Sequence, residues 1–229
     1  MSAVDAVLFD LDGTLTDSRP GILRSTRHAF ERLGEARGRP IPLPEDSELG
    51  WMVGPPLRDS FLKLAGAENV ETLMEFYRER YRPIGIFENR VYDGVPAALE
   101  SLRALGIRLF VATSKNQRDA RTILEHFGLA SYFLGIHGAR DDGGHSDKTE
   151  LIGHLLGHEG LEAGRDRIAM IGDRKFDAIG ARGVGIAAIG ALWGYGSVEE
   201  LQAAGADPII ETPHGVAEAV ASVFARVAR

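Results

Sequence analysis

The feature that most constrains the fold is an alternation of two periods along the chain. Short apolar runs at Val7–Phe9, Ile107–Ala112, Phe133–Ile136, Ile168–Ile171 and Ile186–Ile189 have the length and residue types of buried strands. Elsewhere the apolar residues fall at helical spacing. Val95, Leu99, Leu102 and Leu105 make one such set, and Ile123, Leu124 and Phe127 another. Leu151, Ile152 and Leu155 follow, and then Val216, Val220, Val223, Phe224 and Val227. Strands alternating with amphipathic helices predict an α/β fold, a parallel sheet covered on both faces. Ligands of such sheets bind beyond the carboxyl ends of the strands. The residues just after each apolar run are therefore where chemistry is expected.

From Thr16 to Arg90 the alternation breaks. Three helix-like segments, near Gly21–Leu33, Leu57–Leu64 and Val70–Tyr81, come before any second strand run. A Pro-rich connection, Pro40-Ile41-Pro42-Leu43-Pro44, separates the first two. A helical insertion after the first strand accounts for this better than helices packed directly on the sheet. Tyr92-Asp93-Gly94-Val95 returns the chain to the core.

Four runs then carry candidate chemistry. The first is Phe9-Asp10-Leu11-Asp12-Gly13-Thr14-Leu15-Thr16-Asp17-Ser18. Asp10 and Asp12 are two residues apart, so an extended backbone points both side chains the same way. Gly13 lets the chain leave the strand sharply. Carboxylates at the end of a buried strand are costly unless a cation or a reaction needs them. A solvated loop after an edge strand is the structural alternative. The second run, Thr113-Ser114-Lys115-Asn116, follows a strand. Its hydroxyls and backbone N–H groups can cradle phosphate oxygens, or cap a helix starting near Gln117. Both readings are compatible, because a helix N-terminus is itself an anion site.

The third candidate is Lys148, in Gly143-Gly144-His145-Ser146-Asp147-Lys148, at the start of a helix running towards His158. A lysine there opposes the helix dipole, although most lone lysines are simply exposed. The fourth run is Ile171-Gly172-Asp173-Arg174-Lys175-Phe176-Asp177. Asp173 and Asp177 are four apart and share a face on a helical turn. Their oxygens suit a hard divalent cation, or else mark an acidic helix start.

Several function classes are disfavoured. The 229 residues suit one sizeable domain, or a core plus a small insertion. No cysteine is present, which excludes disulfides, thiol catalysis and zinc–thiolate sites. A formal net charge of −7 disfavours binding to a nucleic-acid polymer or an anionic membrane. No basic start followed by an apolar stretch suggests a signal peptide, and no apolar run is long enough to span a bilayer. A cytoplasmic location is the expectation. His137, His145 and His154 show no metal-ligand spacing, and His154 and His158, four apart, lack the acidic motif of zinc proteases. His137, His145 and His154 are read as structural or exposed. Neither a G-x-S-x-G elbow nor a Walker loop occurs.

Taken in order, the D-x-D-G-T-L-x-D-S run, Thr113-Ser114, Lys148 and Gly172-Asp173-x-x-x-Asp177 resemble the motifs of haloacid dehalogenase superfamily phosphatases, over nearly the full chain. The resemblance implies a Rossmann-like, doubly wound parallel sheet from 1–15 and 91–229, with a small helical cap inserted at 16–90. It implies that Asp10 is a nucleophile forming an aspartyl-phosphate, and that Asp12 is the general acid and then the base. Thr113 and the Ser114 backbone would bind phosphoryl oxygens, and Lys148 would offset charge. Magnesium would be held by Asp10, the Asp12 backbone carbonyl and Asp173, with Asp177 behind them. Asp12 also separates phosphatases from the superfamily's dehalogenases, which lack this aspartate and the metal.

Within that superfamily, Gly54-Pro55-Pro56-Leu57-Arg58 resembles a cap loop of phosphoglycolate phosphatases and 5′-nucleotidases. Arg58 would either reach a substrate anion or stand exposed at a helix start. Ser146-Asp147-Lys148-Thr149 stands where phosphoglycolate phosphatases and sugar phosphomutases often carry Lys-Pro-x-Pro. Together with Gly172-Asp173-Arg174-Lys175-Phe176-Asp177 and Leu192-Trp193-Gly194-Tyr195-Gly196, it is more similar to the 5′-nucleotidase-like subgroup. The resemblance thus implies a magnesium-dependent phosphomonoesterase, monomer or homodimer, acting on a small phosphate ester. Phosphoglycolate phosphatase, sugar phosphomutase and a non-catalytic phosphometabolite-binding regulator are its alternatives.

Overall fold

The first apolar run becomes the central strand of a six-stranded parallel sheet. The computed structural model describes residues 5–140, 144, 145 and 147–227. Its elements begin with β1 (Asp5–Phe9), β2 (Thr16–Asp17), α1 (Arg19–Arg37), α2 (Leu57–Ala65), α3 (Val70–Tyr81) and β3 (Arg90–Val91). They continue with α4 (Val95–Ala104), β4 (Arg108–Asn116), α5 (Gln117–His126), β5 (Gly135–Ala139) and α6 (Lys148–Glu159). The remainder are β6 (Arg167–Gly172), α7 (Lys175–Gly183), β7 (Ala187–Ala191), α8 (Val198–Ala204), β8 (Ile209–Ile210) and α9 (Val216–Val227). The architecture is the doubly wound α/β fold that the alternating periods predict, with helices α1–α3 inserted after β1.

Sheet order is β5-β4-β1-β6-β7-β8, and every neighbouring pair is parallel. The chain builds outward from β1 through β4 to β5, then returns to the other side of β1 at β6. Strand order therefore reverses between β4 and β6, around β1, which opens a crevice beyond the carboxyl ends there. The Asp10 N–H donates to the Ile171 carbonyl at 2.9 Å and ties those two ends together. Ala6, Val7 and Leu8 are fully buried, as a strand covered on both faces requires. Ala6, Leu8, Phe110, Ala112, Ile168 and Met170 join one core with residues of α6, α7 and α8, including Leu151, Leu155, Ala178 and Leu201. Helices α4 and α9 pack on each other and against β4 and β6. Among the described residues no helix is long and apolar enough to cross a membrane.

Asp17–Arg90 forms a compact unit of its own, and the rest of the chain forms the other. Strands β2 and β3, where the chain leaves and rejoins the core, pair as a separate two-stranded sheet. Inside this unit α1 ends at Gly38, whose φ of 65° is the left-handed conformation that stops a helix. Phe30, Phe61, Tyr77 and Tyr81 form a ring stack with centroids 6.2, 6.0 and 4.9 Å apart in turn. Phe61 is fully buried, so Phe61→Ala is expected to destabilise this unit by about 3–5 kcal/mol. Hydrogen exchange is the measurement: protection should drop across α1–α3 while β1, β4 and β6 keep theirs.

Candidate active site

Asp10 follows β1, is buried, and meets the first residue of α6. Asp147 fixes that helix start, because its side chain accepts the Thr149 and Glu150 N–H groups at 2.9 and 3.0 Å. Lys148 then projects inward. Its Nζ donates to Asp10 Oδ1 at 2.9 Å and to the Ala112 carbonyl at 3.0 Å, and lies 2.8 Å from Asp177 Oδ1. Burial alone would depress the ammonium, yet Asp10 and Asp177 hold Lys148 well above the ordinary lysine range.

Asp173 follows β6 and is fully buried. Its Oδ2 accepts the Tyr195 N–H at 2.8 Å, and its Oδ1 accepts the Thr14 hydroxyl at 3.3 Å. Burial, reinforced by Asp10 and Asp177, pushes Asp173 well above the usual carboxylate range. Burial likewise raises Asp10 to about 6, against the pull of Lys148 and with Asp177 and Asp12 adding to it. Asp10, Asp173 and Asp177 each place an oxygen within 4.8 Å of the others, and all three are buried. Lys148 is the cation paired with two of these three carboxylates, so the cluster carries surplus negative charge that a divalent cation would offset. This buried triad could hold a metal ion.

Glycines make that crowding possible. A Cβ at Gly13, where φ is +88°, would lie 2.2 Å from Asp173 Oδ2, and one at Gly194 would lie 2.3 Å from Asp173 Cβ. Asp177 is further constrained: its Oδ2 accepts the Arg174 N–H at 3.1 Å and so caps α7.

Asp12 has a different environment from Asp10, although only one residue separates them. Its Oδ2 lies 2.8 Å from Lys115 Nζ. Its Oδ1 is buried with no hydrogen-bond partner among the described residues. The two carboxylates, expected on one side of an extended strand, are thus assigned to two different lysines. The last residues of β4, Thr113–Asn116, divide their work similarly. The Thr113 hydroxyl, buried, accepts the Lys115 N–H at 3.2 Å. Asn116 caps α5 by accepting from the Arg118 and Asp119 N–H groups. Ser114 lies between them, part-exposed, where the register with β5 shifts.

Arg58 lies in the first turn of α2, within the Asp17–Arg90 unit. Its guanidinium engages Glu71 through both terminal nitrogens, Nη1 donating to Oε2 at 3.2 Å and Nη2 to Oε1. Gly143 and Ser146, which flank Lys148 in sequence, lie outside the described residues.

Two contributors carried no assigned role in the sequence. Lys115 sits inside the Thr113–Asn116 run, but nothing in its spacing announces that it reaches Asp12. The Trp193–Gly196 segment acts mainly through its backbone: Tyr195 N–H supports Asp173, while the Trp193 indole donates to the Thr14 carbonyl at 2.9 Å. Its signal was available as a G-x-G placed just beyond a parallel strand.

Comparisons with known proteins converge on one family. The family model described as haloacid dehalogenase-like hydrolase matches residues 7–191. A 5′-nucleotidase of Pseudomonas aeruginosa is 45% identical, over 86% of this chain and 86% of its own. Tyrosine-protein kinase PtkA of Mycobacterium tuberculosis is 39% identical over 84% of this chain, which spans 64% of that protein's length. Among solved structures, a predicted phosphatase from Clostridium acetobutylicum superposes with a TM-score of 0.86 at 38% identity, covering 98% of this chain and 100% of its own.

Proposed function

The chain belongs to the haloacid dehalogenase-like hydrolases, and we propose that it is a magnesium-dependent phosphomonoesterase acting on small phosphorylated metabolites, nucleoside 5′-monophosphates foremost. The observation that carries the mechanism is the split environment of the carboxylate pair. Asp10 is bound to Lys148 within the acidic cluster, whereas Asp12 is held by Lys115, its other oxygen without a hydrogen-bond partner among the described residues.

An Asp10 oxygen attacks phosphorus, and the bond from phosphorus to the ester oxygen breaks. Asp12, as the general acid, gives a proton to the departing alcohol. The aspartyl-phosphate is then attacked by water, whose proton returns to Asp12, releasing inorganic phosphate and regenerating Asp10. Lys148 offsets the charge of carboxylate and phosphoryl dianion as they meet, and Thr113 with the Ser114 N–H receives phosphoryl oxygens. Lys115 fixes the orientation of Asp12. A bound magnesium would supply further positive charge to offset the developing negative charge. Asp10, the Asp12 carbonyl and Asp173 would hold it, with Asp177, paired to Lys148 and capping α7, behind them. Arg58 would contribute to substrate binding if it exchanged Glu71 for a phosphate ester.

Asp12→Ala is the sharpest test of the acid–base role. Turnover of an alkyl phosphate should fall by about 10²–10⁴-fold. Formation of the aspartyl-phosphate from p-nitrophenyl phosphate should fall much less, because p-nitrophenolate leaves without a proton. Equal losses in that first step for both substrates would remove Asp12 from this role. For the substrate, phosphate release with magnesium is compared across nucleoside monophosphates, phosphoglycolate and sugar phosphates. Nucleotides should lead. Preference for phosphoglycolate would overturn the subgroup, phosphate moved within a sugar would identify a phosphomutase, and no turnover of any ester would leave a binding protein.

A further inference from the structure

A second polar cluster lies at the far end of α6 from Lys148. His137, on β5, is buried, and its Nε2 lies 2.9 Å from Glu159 Oε1. His158, on α6, places Nδ1 at 3.1 Å from that same oxygen. His137 is level with Ala112 across the sheet, so both point to the face that α6 covers. One carboxylate oxygen thus receives two imidazoles contributed by two different elements, and the three ligand atoms lie within 4.8 Å of one another.

We propose that His137, His158 and Glu159 form a binding site for a borderline divalent transition cation of the zinc, cobalt or nickel class. Tetrahedral bonds of about 2.0–2.1 Å set adjacent ligand atoms roughly 3.3 Å apart, so the observed 2.9 and 3.1 Å need only a slight opening. Imidazole nitrogen with a carboxylate selects such cations over magnesium, which takes oxygen and retains water.

The surroundings fit a ligand set. Arg108 Nη2 lies 3.8 Å from Glu159 Oε2 and steadies the oxygen that does not face the imidazoles. Gly135 leaves the space they use: a Cβ there would come within 2.7 Å of Glu159 Oε1 and 2.8 Å of His137 Nε2. His154, one turn before His158, brings a third imidazole with its centroid 6.1 Å from that of His158. The His158 side chain is 63% exposed, so an ion has an open approach. With three protein ligands, the fourth position falls to solvent or His154.

His158 comes ten positions after Lys148 along α6, a rise of about 15 Å, so this site is distinct from the acidic triad. Cobalt(II) is titrated into the whole protein in excess magnesium, which keeps the acidic triad occupied. Stoichiometric uptake with a visible absorption band, displaced by zinc, is expected. Exposed His158 can be changed without loss of the fold. His158→Ala should weaken uptake by more than the roughly 10–100-fold that loss of an outer partner costs, and Asp173→Asn should leave it intact. Zinc should also raise the Tm of the unaltered protein and not of His158→Ala. No uptake, uptake indifferent to His158→Ala, or uptake abolished by Asp173→Asn would each overturn the site.

Discussion

Asp10→Asn is expected to reduce phosphate release by about 10⁴-fold or more and, in metal-free buffer, to make the fold more stable. The first effect follows from replacing a charged nucleophile by an amide. The second follows from where the carboxylate sits. Burial, above all, raises it from the ordinary 3.8 to about 6, so the folded protein binds the Asp10 proton more tightly than the unfolded chain does. Below pH 3.8 the group is protonated in both states and costs nothing. That advantage is lost as pH rises through 6, and above it the ionised carboxylate weakens the fold by on the order of 2–3 kcal/mol. Asparagine removes that penalty. Urea unfolding in chelator should therefore show the variant more stable at pH 8, with the difference vanishing towards pH 3.5. A variant less stable at pH 8 would show that the Lys148 bond, not burial, dominates at Asp10.

Lys148→Ala should cost activity and stability together. Phosphate release is expected to fall by about 10³-fold, the scale of losing a positioned positive charge in a dry site. Stability at pH 8 should fall by about 3–5 kcal/mol, because Asp10 and Asp177 lose their shared buried cation. The pH dependence separates this from a simple packing defect. Without Lys148 the Asp10 carboxyl rises further above 6, so protonation relieves the loss as pH falls through that higher value. Metal-free unfolding at pH 5 should recover much of the difference seen at pH 8. A deficit equal at both values would point to the lost side-chain volume instead.

The buried strands were legible because burial on both faces demands unbroken apolar runs, and β1, β4, β6 and β7 all satisfy it. Strand β8 was not, since two residues carry no period. Helix α7 left a faint trace for a different reason. Its buried face is Asp177, Ala178, Gly180 and Ala181, small residues chosen for close approach rather than for apolar bulk. A Cβ at Gly180 would come within 2.8 Å of Lys148 Cγ, so the helix must be lean for the lysine to pass. The motif carboxylates stand out because charge after an apolar run is anomalous. Lys115 does not, since a lysine near a strand end is ordinary until its partner is known. The histidines were read as structural or exposed because His137 and His158 lie on separate elements, and linear spacing cannot show that one glutamate joins them.

The paired strands β2 and β3 have a consequence for how the molecule can change. The chain departs and returns at neighbouring points, so everything between is a loop already closed at its neck. Lengthening or exchanging such a loop adds little closure entropy, because that term grows only with the logarithm of length. Nor does it alter which strands of the sheet must find each other. Asp17–Arg90 can therefore be lengthened or exchanged as a cassette while the strand order that places Asp10, Lys148 and Asp173 is kept.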